Sequence, residues 1–170
     1  MAIAEVRIAT VLDAAVVAGV HLDFWRHAYA ELLPRSVLDT SDAEMTERWT
    51  ARIAAGGPAL LALEGGQPVG FALLAAVPDA DGVGEIEAMG VPPRWQRRGH
   101  GGRLLGTAAV LLRQAGATSG RYWVPEDDPV TIAFLERAGW SPDGTRRVLD
   151  TGDGLLAERG YHGDLDLVLV

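Results

Sequence analysis

The chain has 170 residues, 48% of them hydrophobic, and a formal net charge of −8, values that suit one domain over residues 1–170 with a real apolar core. It has no cysteine, and all 15 basic residues are arginine, so disulfides, thiolate ligands, a phosphate-loop lysine and Schiff-base chemistry are excluded. The acidic balance speaks against nucleic acid as the main partner, no apolar run approaches the ~20 residues of a membrane span, and no secretory-type leader is present, so a cytoplasmic address is expected.

Val6 to Ala9 reads as a short strand, followed by Leu12, Val16, Val20 and Phe24 at helical spacing, with Pro34 closing that stretch. Ser41 and Glu44 form a capping box for a second helix running to about Ala55, and Gly56-Gly-Pro58 stops it. Ala59–Leu63 and Val69–Val77 read as strands joined by the hairpin signal Glu64-Gly-Gly-Gln-Pro68. A further strand spans Gly84 to Val91 and ends at Pro92-Pro93. Leu104, Leu105, Ala108, Leu111 and Leu112 then mark a helix with one buried face, closed by Gly116. Arg121 to Val124 is a strand, Asp128-Pro129 caps a short helix ending at Ala138-Gly139, and Thr145–Leu149 and Leu165–Val170 read as closing strands. The sum is an α/β fold with a mixed, mostly antiparallel sheet and helices on both faces.

Charge is unevenly placed. Between Ala88 and Pro125 there are six arginines and no acid, leaving nine arginines against 23 acids elsewhere, so the net charge divides into about +6 and −14. Inside the basic window, Gly99, Gly101 and Gly102 lead straight into the best-defined helix, whose first amides lack intrahelical partners and suit phosphate oxygens. A phosphate-bearing cofactor follows as the first expectation. A dinucleotide fold is disfavoured, because its glycine fingerprint would need glycine where Leu104 stands. Four histidines, at 21, 27, 100 and 162, show no metal-ligand spacing, so no metal is expected.

Gln96-Arg-Arg-Gly-His-Gly101 resembles the Q/R-x-x-G-x-G/A signature of the GNAT superfamily of N-acetyltransferases. Glu85-Ile-Glu-Ala-Met-Gly-Val-Pro-Pro93 looks like that superfamily's fourth strand, and Asp128 to Trp140 is similar to its asparagine-proline helix segment; Trp25–Pro34 resembles the first helices of many members. The resemblance implies a GNAT-like sheet of about seven strands and acetyl-CoA as cosubstrate. It places the pyrophosphate on the amides of Arg97, Arg98, Gly99, His100, Gly101 and Gly102, the pantetheine arm along Met89, Gly90 and Val91, and Asp128 beside the cofactor.

Acetyl transfer to an amine needs a proton acceptor, a donor for the developing oxyanion and a route for the thiolate to leave. Glu85 and Glu87 alternate on one strand face, barring a bulge, and either could take the ammonium proton through water. Glu85 aligns with the base of some superfamily members and ranks first. Two departures from the family stand out: Leu135 occupies the place of the tyrosine that protonates sulfur, and Asp128 replaces asparagine. Tyr122, Tyr29 or solvent could fill the first role. Trp25, Tyr29 and the region of Trp49 are the expected acceptor pocket, and the acidic surface mildly favours a cationic amine. A CoA-binding module without catalysis is the other class that Leu135 allows. A homodimer through the terminal strands is compatible with the pattern.

Overall fold

Seven strands form one sheet in the computed structural model, which describes residues 1–167. In chain order the elements are β1 (Ala4–Ile8), α1 (Ala14–Ala28), α2 (Arg35–Leu38), α3 (Asp42–Ala54), β2 (Ala59–Glu64), β3 (Gln67–Leu74), β4 (Val83–Gly90), α4 (His100–Gln114), β5 (Ser119–Pro125), α5 (Pro129–Arg137), β6 (Ser141–Asp150) and β7 (Leu155–Gly163). The spatial order is β1-β2-β3-β4-β5-β7-β6, with β4 and β5 parallel and the other neighbours antiparallel.

Both faces of the sheet are covered, which explains the unbroken apolar run of β2. Leu60 packs on the α4 side with Leu104, Leu105 and Leu112, while its neighbour Leu61 packs on the opposite side with Leu22, Met45 and Trp49. The β2–β3 turn uses Gly65 and Gly66 at φ +57° and +81°, the left-handed pair that matches strand twist in a two-residue hairpin. Both sequence-read caps form: the Ser41 hydroxyl accepts from the Glu44 N–H at 3.2 Å, and Asp128 Oδ1 accepts from the Thr131 N–H at 3.0 Å. No helix among the described residues is long and apolar enough to cross a membrane.

Two features of β4 position the site. Its parallel pairing with β5 runs only from Val83–Ser119 to Ile86–Tyr122, so beyond Ile86 the two strands part. Against β3, Leu73 pairs with Ala88 and Leu74 with Ile86, which leaves Glu87 as the extra residue of a bulge.

Thr145–Leu149 falls within β6, but the last strand differs from the sequence reading. Residues 165–167 are irregular rather than strand, residues 168–170 lie outside the described residues, and the strand is instead β7 at Leu155–Gly163. Its middle carries Glu158, Arg159 and Gly160, a polar run that hides the period of two. Glu158 is buried because Arg147 on β6 bonds it at 2.7 Å, and Gly160 and Gly163 are small because Thr145, Asp143 and Trp140 sit where side chains would go. Leu165 is apolar because it fills the core beside Gly120, not because it pairs in a ladder. The first helical stretch also divides: α1 ends at Ala28, and Tyr29 turns the chain before α2.

Candidate active site

The sequence leaves β4 through Val91-Pro92-Pro93, a single 3-10 turn, and then a loop with two left-handed residues, Arg97 at φ +62° and Gly99 at φ +83°. The Gln96 side-chain amide donates to the Val91 carbonyl at 2.9 Å and ties this loop to the end of β4. The result is a run of main-chain N–H groups, from Arg97 to Gly102, that donate to no protein acceptor among the described residues; the first helical bond back to the loop is Arg103 N–H to Gly99 C=O at 3.1 Å. A methyl group at Gly101 would press on the Phe134 ring at 3.3 Å, so α5 packs tightly against this helix start.

The arginines around the loop divide their work. Arg94 pairs with Asp23 at 2.7 Å, Arg98 pairs with Glu64 at 3.0 Å and covers the Trp95 ring, and Arg103 donates to the Arg98 carbonyl at 3.1 Å. Arg97 is exposed and has no ion pair among the described residues. His100 is buried, with Nε2 held by Glu64 at 2.6 Å; this bond, more than the Arg98 pairing, keeps the Glu64 carboxyl below its ordinary value. Glu64 thus clamps the end of β2 to the start of α4. Nothing in the sequence marks it, since its partners lie more than thirty positions away.

Where β4 and β5 part, the Tyr122 hydroxyl donates across the opening to the Met89 carbonyl at 3.2 Å. Tyr29, arriving from the end of α1, donates to Asp128 Oδ2 at 2.6 Å. Burial raises both phenols above their ordinary value, and for Tyr29 the neighbouring Tyr122 and Asp128 add to it, so both stay protonated. Asp128 therefore serves as cap of α5 and as acceptor for Tyr29. Leu135 is fully buried in the α4-side core. Gly90 is glycine for packing, because a side chain there would strike Phe24 and Phe71.

Glu85 and Glu87 share the α1/α3 side of the sheet despite the bulge, but their surroundings differ. Glu87 is ion-paired with Arg52 of α3. Glu85 is half-buried, and burial raises its carboxyl above the ordinary value; Arg147 and Arg121 oppose the shift and Glu87 adds to it. Arg147 is itself fixed, lying over the Trp123 ring at 4.4 Å and bonded to Glu158.

On the same side, α1, α3, β3 and β4 line an open pocket of about 110 Å³. Trp25, His21, Trp49 and Ala88 line it, with Arg48 and Arg52 beside them. Trp49 Nε1 donates to His21 Nδ1 at 3.0 Å, and burial, aided by Arg48, pushes the imidazole down to about 3, so it is neutral near pH 7. Of the expected acceptor-pocket residues, Trp25 and Trp49 line this one, whereas Tyr29 points to Asp128 instead. His21 and Arg52 were not singled out in the sequence, and Arg48 fell only within the region of Trp49.

Residues 22–140 match the Acetyltransferase (GNAT) family. The chain is 33% identical over 132 residues to the uncharacterized N-acetyltransferase YuaI of Bacillus subtilis, covering 76% of each chain. Its fold superposes on PaiA N-acetyltransferase from Thermoplasma acidophilum in complex with coenzyme A, with TM-score 0.78, 17% identity and 95% and 99% of the two chains covered. It also superposes on YncA of Salmonella typhimurium with its cofactor acetyl-CoA, with TM-score 0.71, 20% identity and 96% and 94% covered. At those identities the structural likenesses establish the fold, while the family match and YuaI establish kinship: this chain is a member of the GNAT family of acetyltransferases.

Proposed function

We propose that the protein moves an acetyl group from acetyl-CoA to a primary amine by direct attack in a ternary complex. The observation that carries this reading is the run of free N–H groups from Arg97 to Gly102, set at the mouth of the β4–β5 opening. Those residues fit the cosubstrate at both ends. Six amides and the positive end of α4 suit a pyrophosphate, with Arg97 a nearby guanidinium that, among the described residues, is neither paired to an acid nor holding the loop. Beyond Ile86 the β5-facing edge of β4 at Met89 and Gly90, continued by Val91, is free of strand pairing and offers main-chain groups to an extended amide-bearing arm, while β3 holds the opposite edge. Acetyl-CoA supplies the activated acyl carbon.

Glu85 is the general base. Burial gives it a higher proton affinity than an ordinary carboxylate, whereas Glu87 is engaged with Arg52. At about 3.3 Å per residue Glu85 lies too far along β4 from Met89 for direct contact, so the proton travels through water. The neutral amine nitrogen adds to the acetyl carbon, the C–N bond forms as the C–S bond breaks, sulfur leaves with the electron pair as coenzyme A thiolate, and the nitrogen's second proton passes to water as the amide forms. Charge that develops on the carbonyl oxygen is met by main-chain N–H near Met89 or Val91.

Tyr122 takes the role that Leu135 cannot fill. Its proton goes to a neutral carbonyl at 3.2 Å, a weaker and more exchangeable bond than the 2.6 Å charge-assisted bond that commits Tyr29 to Asp128. A thiol of pKa ~8.5 is a tolerable leaving group, so this donation assists rather than decides.

Calorimetry with coenzyme A, together with thiol release over a panel of amines, tests the reading. Binding with amine-dependent release is expected. Binding without release for any amine would instead make the protein a CoA-responsive module, the reading that the buried Leu135 favours.

A further inference from the structure

We propose, resting on the acetyl-transfer reading, that the acceptor is a free α-amino acid with an aliphatic or thioether side chain, held by its carboxylate on Arg48 with its side chain in the α1/α3/β4 pocket. The pocket is small and apolar. Its 110 Å³ is below the ~150 Å³ cavity that accepts benzene, which suits side chains the size of valine, leucine or methionine. Its walls offer Trp25, Met45, Trp49, Leu73 and Ala88, and the one polar ring among them, His21, is neutral and already bonded to Trp49.

The charges at the pocket are basic. Arg52 neutralises Glu87, the nearest carboxylate on β4, while Arg48 is exposed, has no ion pair among the described residues and lies close enough to His21 to affect its protonation. Asp23, on the same helix as His21, is held by Arg94 and His27. Among the described residues no acid lines the pocket to hold a second ammonium group. The net charge of −8 favours cations only at long range, where salt screens beyond about 8–10 Å; within the pocket the nearby guanidinium decides.

Placement relative to the reaction also fits. Ala88 lines the pocket one residue before Met89, so an acceptor anchored there presents its α-nitrogen beside the strand proposed to carry the thioester. The products are the N-acetyl amino acid and coenzyme A, with the same bond changes as above.

The test compares leucine and methionine with leucinamide, isopentylamine and spermidine at fixed acetyl-CoA, in the wild type and in Arg48→Gln, with coenzyme A affinity measured in parallel. Leucine or methionine should exceed leucinamide in kcat/KM by about tenfold or more, the loss expected for one charge-assisted contact. Arg48→Gln should remove that advantage, bringing leucine and methionine down to the kcat/KM of leucinamide, with coenzyme A affinity unchanged. If spermidine, isopentylamine or leucinamide equals or surpasses the amino acids, or if Arg48→Gln slows all amines alike, the assignment is wrong although the acetyl-transfer reading stands. Failure to bind coenzyme A would remove both.

Discussion

The two halves of the site are built from different parts of the chain. The loop proposed to hold the cosubstrate consists of consecutive residues and works through main-chain N–H groups, with side chains such as Glu64, Gln96 and His100 serving to fix it. The proposed acceptor side consists of side chains gathered from α1, α3, β3 and β4, and its polar groups would work through charge and burial. A main-chain site tolerates exchange of most side chains but not of backbone geometry, whereas a side-chain site can be retuned by single substitutions without touching the other half. The two should therefore fail in different ways.

The largest effect should come from Gly99→Val. The residue sits at φ +83°, where a β-branched side chain is strained, and an added Cβ would lie 2.9 Å from Arg103 Nη1. Coenzyme A affinity by calorimetry should fall roughly 100-fold; unaltered affinity would mean that loop geometry is not what holds the ligand. Next comes Glu85→Gln, expected to lower kcat roughly 100-fold with coenzyme A affinity intact. In the wild type the rate should fall with acidification around a midpoint above the ordinary carboxylate value, because Glu85 must lose its proton to act. The variant should lack that limb; a persistent limb would assign it to another group.

Tyr122→Phe should cost kcat roughly tenfold, since it weakens thiolate departure without removing the nucleophile or base. An unchanged rate would leave departure to solvent. A separate effect concerns stability rather than rate. His21 is neutral in the fold down to about pH 3, whereas the unfolded chain protonates near 6.5. The unfolded state thus binds the extra proton between those values, and urea-measured stability should decline as pH falls from 6.5 toward 3, by at most about 1.4 kcal/mol per pH unit from this group. His21→Gln should flatten that slope, and an equal slope in the variant would trace it to carboxylates.

Legibility followed the same division. Gly99 and Gly101, the arginine island and the apolar face of α4 are neighbours in sequence, so the loop and its helix could be read directly. The caps at Ser41 and Asp128 were legible because capping is local chemistry. The ion pair that separates Glu87 from Glu85 depends on Arg52, 35 positions earlier, and no local pattern announces it. The pocket likewise needs residue 21 beside residues 49 and 88. β7 was missed because its pattern answers to β6 and Trp140 rather than to its own period.

The place of β5 between β4 and β7 bears on how the molecule is made. Its parallel neighbour has already been translated when β5 appears, but its antiparallel partner begins with Leu155, and Gly120 waits for Gly163. At roughly 5–20 residues per second, those ~40 codons take about 2–8 seconds. Throughout that interval the edge of β5 that faces away from β4 is bare on the nascent chain, so the strand that walls the proposed reaction gap lacks its outer neighbour. Acetyl-transfer competence should therefore be acquired late in synthesis, well after the N-terminal sheet and its helices have had time to settle.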